Sequence, residues 1–157
     1  RNRMPSDGSF WKLSRKCRYA LRALFELAWR GSDEPVSVQT IAAAQNIPSR
    51  FLEVILNELK RSGLVESRRG SDGGYRLIGR PDDVTVGQVL RVLGAVAGTQ
   101  PPRRAGRTGY VRGDEALGLL QARVDRAISE VCDGTSFLEL VAEERRLAGQ
   151  YVPEYVI

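Results

Sequence analysis

Histidine is absent from all 157 residues of this chain, and cysteine occurs only twice, at Cys17 and Cys132. Two thiols without an imidazole cannot close a four-ligand structural zinc site, and catalysis through histidine is excluded outright. There is also no phosphate-loop spacing and no cluster of carboxylates around a nucleophile, so an enzyme is the least favoured class. Long apolar runs are missing as well, which leaves nothing to span a membrane. The opening RNRMPSDGSF has no apolar stretch that could act as a secretory signal. The expectation is a soluble cytoplasmic protein with two reduced thiols. Met4 is a plausible start, which makes residues 1–3 an expression scar and 1–12 an arm outside the fold.

Acidic residues are scarce in one half only. The formal charge is +5, yet residues 1–80 hold 15 Lys and Arg against 8 Asp and Glu, while residues 81–157 hold 9 against 11. A basic front half and a mildly acidic back half suit a nucleic-acid face joined to an assembly region. The richest segment is RSGLVESRRGSDGGYRL, from Arg61 to Leu77. It reads as two short strands joined by a turn of Gly, Ser and Asp, with Arg68 and Arg69 at its mouth and Arg76 just beyond. Such a ribbon has too little apolar surface to fold alone and must lean on a neighbour.

That neighbour precedes it. Ser14 followed by RKCRYALRALFELAWR reads as a capped helix, with Ala20, Leu21, Leu24, Leu27 and Ala28 at helical spacing and Gly31 as its stop. Its polar side begins basic, with Arg15, Lys16, Arg18 and Arg22. Ser37 caps VQTIAAAQ, whose Ile41 and Ala44 are expected to face inward, and Asn46 can end it in the left-handed conformation. After Ile47 and Pro48, SRFLEVILNELKRSG carries an expected core stripe of Phe51, Leu52, Ile55, Leu56 and Leu59. Ser49, Arg50, Glu53, Val54 and Asn57 are left on the other side, available to a partner. Two short helices, a tight turn and then a basic hairpin are the order of a winged helix-turn-helix.

Beyond the hairpin, Thr85 caps a fourth helix with apolar Val86, Val89, Leu90 and Leu93. Residues 98–113, GTQPPRRAGRTGYVRG, have four arginines and no acid and read as a flexible basic loop. Asp114 is expected to cap a long helix to about Asp133, in which Leu117, Leu120, Val124, Ala127 and Val131 make a coiled-coil seam. A seam this short needs a partner helix, and a second copy of the chain is the simplest source. Ser136 and Glu139 have capping-box spacing for a last helix. The fold class expected is mainly α with a small β-hairpin. The divisions are a DNA-binding unit over 13–80, a connecting helix over 81–97, the loop over 98–113, a dimerisation helix over 114–134, and a C-terminal helix and tail over 135–157.

Three segments, LSRKCRYALRALFELA, PVSVQTIAAAQNIPSRFLEVILNELKRSGLVESRRGSDGGYRL and PDDVTVGQVLRVL, make the chain resemble the Rrf2 family of bacterial winged-helix transcription regulators. The resemblance is strong from Leu13 to Ala95 and weaker over the long helix and its TSFLELVAE sequel. It implies a homodimer bound to a palindromic operator, commonly as a repressor. Many members hold an iron–sulfur cluster through three cysteines in the loop that here spans 98–113. This loop contains none, so the resemblance is to the cluster-free branch, which includes a repressor of cysteine metabolism, and no cofactor is expected. It further implies control of cysteine or sulfur metabolism, or a redox response, and names cysteine synthase as a partner for the tail ending in Ile157. The alternative for that tail is packing of Tyr151, Val152 and Tyr155 on the dimer partner. A winged-helix module that binds proteins and not DNA is the rival function.

On the DNA reading, Ser49, Arg50, Glu53 and Asn57 approach the major groove. Arg50 can donate two hydrogen bonds to guanine, Asn57 can bridge adenine, and Glu53 can accept from cytosine while repelling phosphate. The resemblance assigns Glu53 a part in site choice; otherwise it pairs with Arg50 or a neighbour one turn on. Arg68, Arg69, Gly70 and Gly73 approach the minor groove, and the resemblance singles out Arg69. Ser14, Arg15, Lys16, Arg18, Ser37 and Gln39 are candidate phosphate contacts at helix N-termini. Cys17, in a first helical turn among Arg15, Lys16 and Arg18, is either a reactive thiolate that reports oxidation or a small residue that fills space. Cys132 reads as packing.

Overall fold

The computed structural model describes residues 12–31, 33–94 and 111–150. Helix α1 (Arg15–Arg30) starts where Ser14 Oγ accepts the N–H of Cys17 at 3.2 Å, and it stops at Gly31, whose φ is 56°. Ser37 caps α2 (Val38–Gln45) through the N–H of Thr40, and Asn46 leaves it at φ 52°. Ile47 and Pro48 then lead straight into α3 (Ser49–Arg61). The wing is β1 (Val65–Arg68) antiparallel to β2 (Gly74–Leu77), with Glu66 opposite Arg76 and Ser67 opposite Tyr75. It gains backbone support from Val36, which exchanges two hydrogen bonds of 2.8 Å with Tyr75. The ribbon therefore leans on Val36, the residue before the cap of α2, as well as on apolar side chains.

Thr85 and Gln88 form a reciprocal capping box at α4 (Val86–Val92). The long α5 (Asp114–Asp133) follows, and Ser136 with Glu139 completes the same motif before α6 (Phe137–Gln150). One core joins Ala20, Leu24 and Leu27 of α1 to Ile41, to Leu52, Ile55, Leu56 and Leu59 of α3, and to Val65. The same core takes in Val84, Val89, Phe137 and Val141, so it crosses the division expected at residue 80. Backbone bonds from Val86 N to Thr135 O and from Phe137 N to Val84 O, both 3.0 Å, pin the α5–α6 connection to the start of α4. The C-terminal end of α5 is thereby tied to the start of α4.

The fold is mainly α with a small hairpin, as the residue pattern led us to expect. Three local details differ. Ala44 is exposed and Ala42 is buried in its place, because the chain folds back after Asn46 and Ile47 takes the third inward position of α2. Phe51 is 58% exposed, since Leu52, Ile55, Leu56 and Leu59 set the phase of α3 and leave Phe51 over the rim of that stripe. Asp114 is the first residue of α5 and not its cap; Gly113 precedes it without a side-chain cap. Asp114 still favours the helix start through its charge. The expectations for residues 1–11, 95–110 and 151–157 lie outside the described residues.

Candidate nucleic-acid interface

With about 100° between successive helical residues, burying Leu52, Ile55, Leu56 and Leu59 fixes what α3 turns outward. Arg50, Val54, Asn57 and Arg61 form the centre of that outer strip, and Glu53 lies on one edge; all are exposed. Ser49 opens the helix, which has no side-chain cap at its N-terminus. Among the described residues neither Arg50 nor Glu53 belongs to an ion pair, so Glu53 does not neutralise Arg50. The Tyr75 hydroxyl donates to Asn57 Oδ1 at 3.5 Å, a long contact that links α3 to the wing. The Asn57 amide nitrogen keeps its donors for another partner.

At the wing, Arg68 and Arg69 are exposed. The turn closes through Gly73 N–H donating to Gly70 O at 3.0 Å. A Cβ at Gly73 would lie 2.3 Å from Arg68 O, so this glycine is demanded by the turn itself, whatever approaches from outside. Arg76 belongs to the scaffold: it pairs with Glu66 across the ribbon and donates to Asp33 O at 3.0 Å.

The flanking helix starts divide into two groups. Arg15 and Gln39 are exposed, and Ser14 and Ser37 spend their hydroxyls as N-caps. Lys16 is ion-paired to Glu58, which ties α1 to α3. Arg18 is exposed as well. Residues two apart on a helix point in nearly opposite directions, and Arg18 sits with Arg22 on an apolar groove of about 600 Å³. Leu21, Phe25, Ile128 and Val131 line that groove between α1 and α5. Arg18 thus borders this groove and also stands one turn from Arg15. Arg61, one turn beyond Asn57, stands exposed on the same strip although it was not among the expected contacts.

Both thiols are buried in one small cluster with Val86 and Leu90, at 2% exposure for Cys17 and 3% for Cys132. Burial pushes the Cys132 thiol up, Asp133 adds to the shift, and Arg91 partly opposes it. A protonated, enclosed thiol reacts slowly. Ellman's reagent should label both cysteines quickly in denaturant and only slowly in the native protein. Fast native labelling of Cys17 would restore its reactive reading.

The family model for Rrf2, described as iron-dependent transcriptional regulator, matches residues 13–143. CymR of Bacillus subtilis, an HTH-type transcriptional regulator, is 35% identical over 134 residues, covering 83% of this chain and 90% of that protein. Its solved structure, titled as the global cysteine regulator, superposes with a TM-score of 0.69 at 33% identity over 84% of this chain and 97% of that one. The structure of T. potens IscR gives a TM-score of 0.72 at 28% identity over 92% of this chain and 94% of that one. A Synechocystis sp. relative named for an HTH-type regulator matches at 44% over 82 residues, so the chain spans only 56% of that protein's length. An iron–sulfur cluster takes about four thiolate ligands. This chain's two cysteines, both enclosed in one apolar cluster, do not fit that group.

Proposed function

Because the chain belongs to the Rrf2 family of transcriptional regulators, we propose that two copies join through α5 and bind a palindromic operator as a repressor. The chain is a DNA-binding regulator; its assembly, its contacts and the direction of control are the parts proposed. One observation carries the contact assignment: the outward strip of α3, polar and basic around Val54, and the basic tip of the wing are both exposed and are linked through Tyr75 and Asn57. Arg50, Glu53 and Asn57 read base edges in the major groove, and Arg69 enters the adjoining minor groove with Arg68 beside it. Arg15, Gln39 and the N–H groups at the starts of α1, α2 and α3 take phosphates, since free N–H groups favour anions.

Dimerisation is supported by α5. Leu117, Leu120, Val124 and Val131 are between 43% and 69% exposed in the single chain, and Ala127 lies open on the same seam. The groove between α1 and α5 continues this apolar surface, and the partner's α5 is the helix that covers it. The relative titled a global cysteine regulator supports cysteine or sulfur genes as targets. Burial of Cys17 supports its packing role over a redox role.

The regulator reading predicts strong salt dependence. A dimer neutralising about six to ten phosphates loses about 10³- to 10⁵-fold in affinity between about 50 and 200 mM salt. Fluorescence anisotropy with a duplex selected from random sequence measures the slope, and a flat response would overturn the assigned phosphate contacts.

A further inference from the structure

Two apolar side chains stand open on α3. Val54 is 63% exposed and Phe51 is 58% exposed. Around the helix, at about 100° per residue, the outward residues fall in the order Glu53, Asn57, Arg50, Arg61, Val54 and Phe51. The strip thus has Glu53 on one edge, a centre of amide and guanidinium groups with Val54 among them, and Phe51 on the other edge beside Glu58, which is ion-paired to Lys16. Residues three apart on a helix are neighbours, so Phe51 and Val54 form one continuous patch.

We infer that Val54 and Phe51 read thymine C5-methyl groups in the major groove. The inference rests on the DNA reading of α3 and gives that same face an element of base choice. The argument is one of reach and chemistry. Valine is short and makes no hydrogen bonds, so it can recognise only an apolar group that projects from the groove floor towards the helix. The thymine methyl is that group, and cytosine lacks it. The neighbours agree, because Arg50 lies one turn before Val54 and Asn57 lies on the next turn. Their guanidinium and amide suit guanine and adenine edges in adjoining base pairs, which holds the middle of α3 close to the bases. Val54 and Phe51 then touch methyls on the side of the helix away from Glu53, whose carboxylate takes a cytosine amino group.

The test begins with duplexes enriched by the full-length protein from random DNA. Each thymine in the enriched site is replaced in turn by deoxyuridine, which removes one methyl and changes nothing else on the base edge. Wild type should lose about fourfold in affinity at each thymine contacted, the value of one buried methyl group. Val54→Ala should abolish that loss at one position and Phe51→Ala at its neighbour, with circular dichroism and melting unchanged because both side chains lie outside the core. If every uracil swap is neutral in wild type, or if both variants keep full sensitivity, the inference falls while DNA binding stands. If no sequence enriches at all, the DNA reading falls and takes the inference with it.

Discussion

Leu120→Asp together with Val124→Asp should turn the protein into a monomer and weaken operator binding by about 10²- to 10⁴-fold. Both side chains are exposed in the single chain, at 52% and 43%, so the aspartates disturb no core contact there. In the proposed dimer they meet their own copies in a dry seam, where unpaired charge is costly to bury. Helix α5 buries only Cys132 of its own length and packs on α4 near its C-terminal end, so most of it has no other support. Dimerisation makes the second half-site an intramolecular event, and losing it forfeits the effective concentration and nothing else. Binding to an isolated half-site should therefore stay near the wild-type monomer value. Analytical ultracentrifugation with anisotropy on full and half operators checks both points. A variant that sediments as a dimer would show that α5 is not the seam.

What was legible in the sequence was set by local chemistry. The caps at Ser14, Ser37 and Thr85 and the left-handed stops at Gly31 and Asn46 all stand where their residue types demand. Spacing alone also puts Leu117, Leu120, Val124, Ala127 and Val131 on one face of α5, and all five are exposed in the single chain. What escaped depended on contacts between distant segments. The phase of α3 is decided by which of five candidate apolar residues the core accepts, and Phe51 was the one left over. The groove that Arg18 borders exists only because α5 comes to that side of α1. The sharing of one core by α3, Val84, Val89 and α6 could not be read from boundaries drawn at changes of composition. The support of the wing by Val36 is a backbone bridge across 39 positions, from Val36 to Tyr75, with no side-chain signature.

That bridge gives the second large effect. Gly74→Ala should cost about 3–5 kcal/mol of stability and release the wing, adding clash, backbone strain and two lost hydrogen bonds. A Cβ at Gly74 would stand 2.2 Å from Val36 O and 2.7 Å from Ser37 N, and these are main-chain atoms that cannot swing aside. The φ of Gly74 is 152°, which L side chains rarely adopt. Relief requires parting β2 from Val36, which breaks both 2.8 Å bonds between Val36 and Tyr75. The disturbance reaches Ser37, the cap of α2, and the Tyr75 contact to Asn57. One methyl thus uncouples the wing arginines from α3 and loosens the start of α2 together. The loss is a large share of the roughly 5–15 kcal/mol that holds a domain of this size. Gly70→Ala is the matched control: φ there is 115°, but a Cβ meets nothing within 4 Å, so only backbone strain is added. Urea unfolding should place Gly74→Ala well below Gly70→Ala, with operator affinity following the same order. Equal stability of the two variants would mean that the wing does not depend on its bridge to Val36.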